Sequence, residues 1–270
     1  MKILALDFDG VIVDSVLDSL FVGHNSYLRL YRGEAKGSFG GKIFTFKNWE
    51  EIKKHYPKEI KYYRTLRPYI RGAIDYGIIQ KLMEEKKFIK TQEEFDNYRE
   101  TVEFDFEAYD KEFYKERERL QNIDYSAWFN LEPAYPKITE GMKKLLEEGT
   151  KIVIATSNRR KAIAKCFSPD YFGFAIEPKN ILDKRYGEDK SEQMKQIVKL
   201  YNIKFKDIYF VDDQVSHLIQ TRPLGVKVFL AGWSYATEAQ KKEARKQNIP
   251  LIEKEEDFYY MIKNVLKVNT

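Results

Sequence analysis

The chain opens on Ile3, Leu4, Ala5 and Leu6, an apolar run carried past Asp7 by Phe8, which predicts a short buried strand ending in two carboxylates, Asp7 and Asp9. From residue 16 the period changes. Val16, Leu17, Leu20, Phe21, Tyr27, Leu28 and Leu30 recur mostly at three- and four-residue steps, which predicts a helix. A glycine-rich loop follows at Gly33, Gly37, Gly40 and Gly41. Residues 48–89 alternate helical stretches with breaks at Pro57, Pro68 and Gly72. Phe95, Tyr98, Val102, Phe106, Tyr109 and Phe113, spaced by three or four, predict one long amphipathic helix whose aromatic stripe packs on other helices. Before residue 130 only 43–46 reads as a further strand, so this stretch is predicted to be an almost wholly helical insert.

From residue 133 strand and helix alternate. Ile138, Met142, Leu145 and Leu146 make one helical face, with Gly149 as its stop. Strands are predicted at 151–155, near 174–176, at 208–211 and near 226–230, and helices at 159–167, 191–200 and from about 255. Alternation at this spacing predicts an α/β protein, a Rossmann-like doubly wound parallel sheet formed by residues 1–15 and 133–270. The helical domain is inserted at 16–132.

Composition narrows the partners more than the fold. A chain of 270 residues is long enough for a large core carrying an insert. The net charge of +5, from 47 basic and 42 acidic residues, is interleaved along the chain. That suits a small anionic substrate and is too diffuse to predict a nucleic-acid surface. The apolar runs are too short for a membrane span. The chain enters its first strand without a signal-like leader, and its single cysteine, Cys166, excludes an internal disulfide. Both lead to the expectation of a cytoplasmic protein. Cys166 reads as a structural thiol, and His24 and His55 show no partner pattern. Oligomeric state is not legible in the sequence.

In a parallel α/β sheet, chemistry collects at the carboxyl ends of the strands. Four features occur in order: three fall there, and the third, a lysine opening a helix, lies between the strand before Thr156 and the strand ending at Val211. Asp7 and Asp9, two residues apart, point the same way from a strand. With Gly10 permitting a sharp turn, they make an oxygen-lined corner suited to Mg2+. Thr156, with Ser157 and Asn158 after it, sets a hydroxyl beside the free N–H groups of the next helix, placed to bind a phosphate oxygen or simply to cap that helix. Lys190 offers an ammonium that offsets repulsion between a carboxylate and a phosphate, with Lys184 and Arg185 as competitors. Asp212 and Asp213 add acids that a buried strand end seldom carries without a cation or donor to satisfy them.

This ordered set, Asp7-x-Asp9-Gly10, Thr156, Lys190 and Asp212-Asp213, resembles the haloacid dehalogenase-like superfamily, and within it the phosphoglycolate phosphatase-like branch, over residues 1–15 and 133–252. Asp14-Ser15, Tyr135-Pro136 and Ala231-Gly-Trp-Ser-Tyr-Ala236 are similar to that branch as well, whose helical cap falls where 16–132 lies here. The resemblance implies a Mg2+-dependent phosphomonoester hydrolase acting on a small phosphorylated metabolite, such as phosphoglycolate or a sugar phosphate. It implies Asp7 as nucleophile, forming an aspartyl-phosphate, and Asp9 as acid and then base. Thr156 and Lys190 would hold the non-bridging oxygens, with Gly10, Ser157 and Asn158 beside the phosphate. The metal would sit on Asp7, the Asp9 backbone carbonyl, and Asp213 or Asp212. Asp9 also separates this reading from dehalogenation, because a halide needs no acid to leave.

The sequence departs from the family in two places. The family often has Gly-Asp with another acid four residues on; here the pair is Asp212-Asp213, and the later position is His217. The insert is also larger than the compact cap of the branch. Within it Arg64, Arg67 and Arg71, at a helical spacing interrupted by Pro68, are candidate contacts to an anionic substrate, against the alternative of a solvated or ion-paired basic face. Three readings compete with the phosphatase: a phosphomutase on the same phosphoenzyme, a non-catalytic binding protein, and a nucleic-acid end phosphatase. The intact set of site residues argues against the second, and a steep salt dependence would mark the third.

Overall fold

In the computed structural model, which describes residues 1–31, 37–187 and 189–267, the apolar opening run forms the central strand of a parallel sheet. Its strands are β1 (Ile3–Leu6), β2 (Lys151–Ala155), β3 (Ile181–Leu182), β4 (Ile208–Asp212), β5 (Lys227–Ala231) and β6 (Leu251–Ile252). Their order is β3-β2-β1-β4-β5-β6, and every pairing is parallel. The sequence is doubly wound, with β2 and β3 laid on one side of β1 and β4 to β6 on the other. All four residues of β1 are 0% exposed. A strand covered on both faces is written as a continuous apolar run, which is why it shows no alternation.

The described residues divide into two compact units, Met1–Asp14 with Pro133–Thr270, and Ser15–Glu132. The second unit holds α1 (Val16–Leu30), α2 (Trp49–His55), α3 (Pro57–Leu66), α4 (Asp75–Glu84), α5 (Gln92–Thr101), α6 (Phe106–Ile123) and α7 (Tyr125–Phe129). The first holds α8 (Pro136–Glu147), α9 (Arg160–Ile163), α10 (Lys190–Tyr201), α11 (Val215–Thr221), α12 (Glu238–Lys246) and α13 (Glu255–Lys267).

In the first unit Ile3, Ala5, Val153, Ala155, Phe210 and Leu230 of the sheet share a core with Met194 and Ile197 of α10 and Leu218 of α11. α8 and α13 pack on each other, and a Cβ at Gly141 of α8 would come 2.9 Å from the Phe258 ring, so only glycine allows the approach. The strand expected near 174–176 is absent. Phe172 and Phe174 instead join Phe8 and Phe167 in an aromatic cluster, and the strand at the sheet edge is β3, beside Ile154 and Ala155. α12 and β6 have no forerunner in the apolar pattern. α12 buries only Ala244 and is started by a capping box between Thr237 and Gln240.

In the second unit α1 is buried along nearly its whole length, polar residues included. Asp18 accepts from Trp128 Nε1 at 2.6 Å and pairs with Arg117, so its charge is met inside the unit. The long helix expected over 95–113 is two helices. Val102 is extended, and the Asp105 carboxylate restarts the helix by accepting from the Ala108 N–H at 2.9 Å. Residues 43–46 form no strand, because the Asn25 side-chain amide occupies both the N–H of Phe44 (2.7 Å) and its carbonyl (2.9 Å). Of the glycine-rich loop, Gly33 lies outside the described residues.

Candidate active site

The pairing register builds the site. Leu6 of β1 is level with Ile154 of β2 and Val211 of β4, so the next residues along bring Asp7, Ala155 and Asp212 to one height at the carboxyl end. The Asp7 N–H still bonds the Val211 carbonyl at 3.0 Å. Past Asp7 the chain leaves the sheet. Gly10 takes φ +80, and its N–H bonds the Val13 carbonyl at 2.8 Å. A Cβ there would lie 2.7 Å from the Tyr235 ring and 2.8 Å from the Asp213 carboxyl carbon, so conformation and space both require glycine. Asp7 and Asp9 therefore do not share a strand face, as their spacing suggests. The strand stops at Leu6, and Asp9 lies in the loop, where its carboxylate receives Asn158 Nδ2 at 3.4 Å.

Lys190 is the first residue of α10, behind Asp189, whose carboxylate caps the helix at the Ser191 N–H. It is 1% exposed, and its ammonium donates to Asp7 Oδ1 at 2.8 Å and to the Ala155 carbonyl at 2.6 Å. Asp212 Oδ2 lies 3.8 Å away. Burial alone would lower the Lys190 pKa, but Asp7 and Asp212 hold it above the usual value. Burial also pushes the Asp7 carboxyl up to about 6, against the opposing pull of Lys190. The competitors sit elsewhere: Arg185 pairs with Asp183 at 3.0 Å, and Lys184 is half-exposed in the turn at Lys184–Tyr186.

Asp212 is fully buried, which would raise its pKa, yet His217 and Lys190 hold it below the ordinary range. His217 Nδ1 stands 3.2 and 3.0 Å from its two oxygens, and Gln214 N–H donates to Oδ1 at 2.8 Å. Asp7, Asp212 and Asp213 each offer a carboxylate oxygen within 4.8 Å of the others, and all three are buried. Three carboxylates against one ammonium leave excess negative charge in a low-dielectric site. Hard oxygen donors with the Gly10 backbone close by are a donor set that fits Mg2+. The Asp9 carboxylate is not part of this cluster.

Thr156 is wholly buried, and its N–H bonds the Leu182 carbonyl at 3.0 Å. The N–H groups expected to be free beyond it are occupied. Asn158 N–H bonds Thr156 Oγ1, Arg159 N–H the Asn158 side chain, and Arg160 N–H Asp183 Oδ2, at 3.0, 2.9 and 3.0 Å. The Thr156 hydroxyl thus turns its own loop and keeps a proton to donate. Ser157 beside it is half-buried. The three arginines do not form one face: Arg64 is exposed on α3, Arg67 is buried over the Tyr76 ring, and Arg71 grips Asp96 at 2.8 and 2.7 Å.

Sequence reasoning assigned no role to Gln193, His217 or Tyr235. Gln193 stands one turn after Lys190 on α10 and ties the Thr156 carbonyl (2.8 Å) to that of Gly187 (3.0 Å). Its spacing from Lys190 was the only sign available.

A family model for haloacid dehalogenase-like hydrolases matches residues 1–219. The chain belongs to the haloacid dehalogenase-like hydrolases. Among curated proteins, no relative of this haloacid dehalogenase-like hydrolase matches by sequence. Solved structures share its fold. A protein provisionally named phosphoglycolate phosphatase, from Lactobacillus delbrueckii subsp. bulgaricus, has a TM-score of 0.60 at 13% identity, covering 97% of this chain and 99% of that one. A haloacid dehalogenase-like family protein from Streptococcus pneumoniae has a TM-score of 0.56 at 11% identity, covering 97% and 98%. A protein provisionally named β-phosphoglucomutase, from Thermotoga maritima, has a TM-score of 0.52 at 15% identity, covering 98% and 100%. At such identities the likeness is one of fold. Among the described residues no helix is long and apolar enough to cross a membrane.

Proposed function

We propose that this haloacid dehalogenase-like hydrolase is a Mg2+-dependent phosphomonoesterase acting on a small phosphorylated metabolite through an aspartyl-phosphate on Asp7. The observation that carries this reading is the Asp7 carboxylate held 2.8 Å from the Lys190 ammonium, inside a cluster of three buried acids. A carboxylate in that position is fixed, charged and compensated, as a nucleophile for an anionic electrophile must be.

An Asp7 carboxylate oxygen attacks phosphorus in line with the ester oxygen. As the new bond forms, the ester P–O bond breaks, and its electron pair stays on the leaving oxygen, which takes the Asp9 proton. The Asp9 carboxylate then takes a proton from water, whose oxygen attacks phosphorus. The bond between Asp7 and phosphorus breaks, and phosphate leaves. Lys190 and the Thr156 hydroxyl hold non-bridging oxygens, with Gly10, Ser157 and Asn158 lining the phosphate. Mg2+, when bound by Asp7, Asp213, Asp212 and the Asp9 backbone carbonyl, neutralises the repulsion between nucleophile and phosphoryl group. The helical insert at 16–132 serves as the cap that selects the rest of the substrate.

The test is phosphate release from an aryl phosphate and a panel of metabolite monophosphates, with and without Mg2+, for the wild type and Asp7→Asn. Turnover should require Mg2+ and fall at least about a thousandfold in the variant. An Asp7→Asn protein that retains turnover removes the phosphoenzyme. Interconversion of sugar monophosphates without phosphate release assigns a phosphomutase in place of the hydrolase.

A further inference from the structure

Asp212 closes β4 with its carboxylate fully buried, 3.8 Å from the Lys190 ammonium and in the same cluster as Asp7 and Asp213. Three carboxylates so close repel one another, and each has an incentive to rotate away unless donors hold it. For Asp212 those donors are the Gln214 N–H on Oδ1 and one imidazole nitrogen that reaches both oxygens. That nitrogen belongs to His217, five residues on, in the first turn of α11, with its side chain 15% exposed. An ionised carboxylate has no proton to give, so Nδ1 carries the hydrogen of this contact.

We propose that His217 is a positioning residue for the metal site: by bridging both oxygens of Asp212 it fixes that carboxylate's direction and thereby the donor set Asp7, Asp212 and Asp213 present to a divalent cation. The inference rests on the magnesium reading above but concerns a residue outside the donor set Asp7, Asp212 and Asp213. Partners that orient a metal-binding carboxylate act through its geometry, and their loss typically weakens metal affinity about 10- to 100-fold. The plain alternative is that His217 only completes the first turn of α11, where its N–H bonds the Gln214 carbonyl at 3.1 Å. That role belongs to the backbone and survives any side-chain change.

The experiment is calorimetric titration of Mg2+ into the full chain, for the wild type, His217→Asn, His217→Gln and His217→Ala, with melting curves in the absence of Mg2+. Asparagine places an N–H near the position of Nδ1, whereas glutamine extends its amide a bond further and misses it. We expect His217→Asn to bind Mg2+ within about threefold of wild type, and His217→Gln and His217→Ala to bind it about 10- to 100-fold more weakly. If alanine unfolds the chain, the glutamine variant, similar in size and polarity, gives the same comparison. Equal affinity in wild type and glutamine variant overturns the inference alone, as does an asparagine variant as weak as glutamine. A wild type that binds no Mg2+ overturns the magnesium reading and this inference with it.

Discussion

The Tyr235 hydroxyl donates to Asp14 Oδ1 at 2.8 Å, joining the loop after β5 to the end of the first loop. The edge of the same ring lies where a Cβ on Gly10 would fall. Tyr235→Phe keeps the ring and deletes the donor. Because Asp14 is only half-buried and regains water, the cost should be about 1 kcal/mol in chemical denaturation, with turnover little changed. A loss of turnover beyond tenfold would show that the hydroxyl does more than brace the loop.

Gly10→Ala should be far more damaging. The position needs φ +80, and the added carbon meets both Tyr235 and Asp213. Strain of about 1–2 kcal/mol comes from the backbone alone, before Asp213 is displaced. Magnesium binding by calorimetry should weaken at least tenfold; unaltered binding would mean that Asp213 has room to move.

Lys190→Met removes the ammonium from between Asp7 and Asp212. Breaking a buried ion pair leaves uncompensated charge at a cost of about 3–5 kcal/mol, read as a fall in unfolding free energy without metal. Mg2+ should then stabilise the variant more than the wild type, because the cation replaces the missing positive charge. Turnover should still be lost. Equal stabilisation of both proteins by Mg2+ would dissociate Lys190 from the acid cluster.

His24 is wholly buried, stacked on Phe44, and bonded to the Lys42 carbonyl (3.0 Å) and the Gln80 amide (3.2 Å). Burial lowers its pKa from 6.5 to about 4. It therefore stays neutral in the folded chain while the unfolded chain takes a proton. Its contribution is complete above pH 6.5 and is lost as pH falls towards 4, by about 1.4 kcal/mol per unit and about 3 kcal/mol in all. His24→Gln should flatten the wild-type curve over that window when the two are subtracted; parallel curves would refute the assignment.

Asp18→Asn tests the interior of the helical unit. The Arg117 guanidinium, 4% exposed, would keep its charge and lose its carboxylate. Unfolding free energy should drop by about 3–5 kcal/mol, whereas Trp128→Phe, which removes only one hydrogen bond and some packing, should cost less.

The sheet was legible where burial is two-sided. β1, β2 and β4 are apolar runs of a kind a parallel core requires, and the acids at the ends of β1 and β4 stand out because buried strand ends seldom carry charge. The pattern misled where apolar residues answer to something other than the sheet. Phe172 and Phe174 serve an aromatic cluster around Phe8, and the 43–46 segment is served by a side-chain amide instead of a neighbouring strand. The break between α5 and α6 was hidden because the three-and-four spacing runs on through it. His217 and Gln193 escaped because the partner of a carboxylate or carbonyl obeys no period; it is found only when the strands are laid side by side.

β1 lies between β2 and β4, and both follow it in the chain by more than a hundred residues of intervening sequence. While the chain is being made, the strand that leads into Asp7 has two empty ladders and an apolar face on each side until residues 151–155 and then 208–212 have emerged. Such a strand is what neighbouring chains capture during aggregation. A fragment ending before Lys151 should therefore be hazardous to its own solubility, although it contains the whole helical insert and the proposed nucleophile. Assembly of the acid cluster comes late, and Asp7, made first, waits longest for its neighbours.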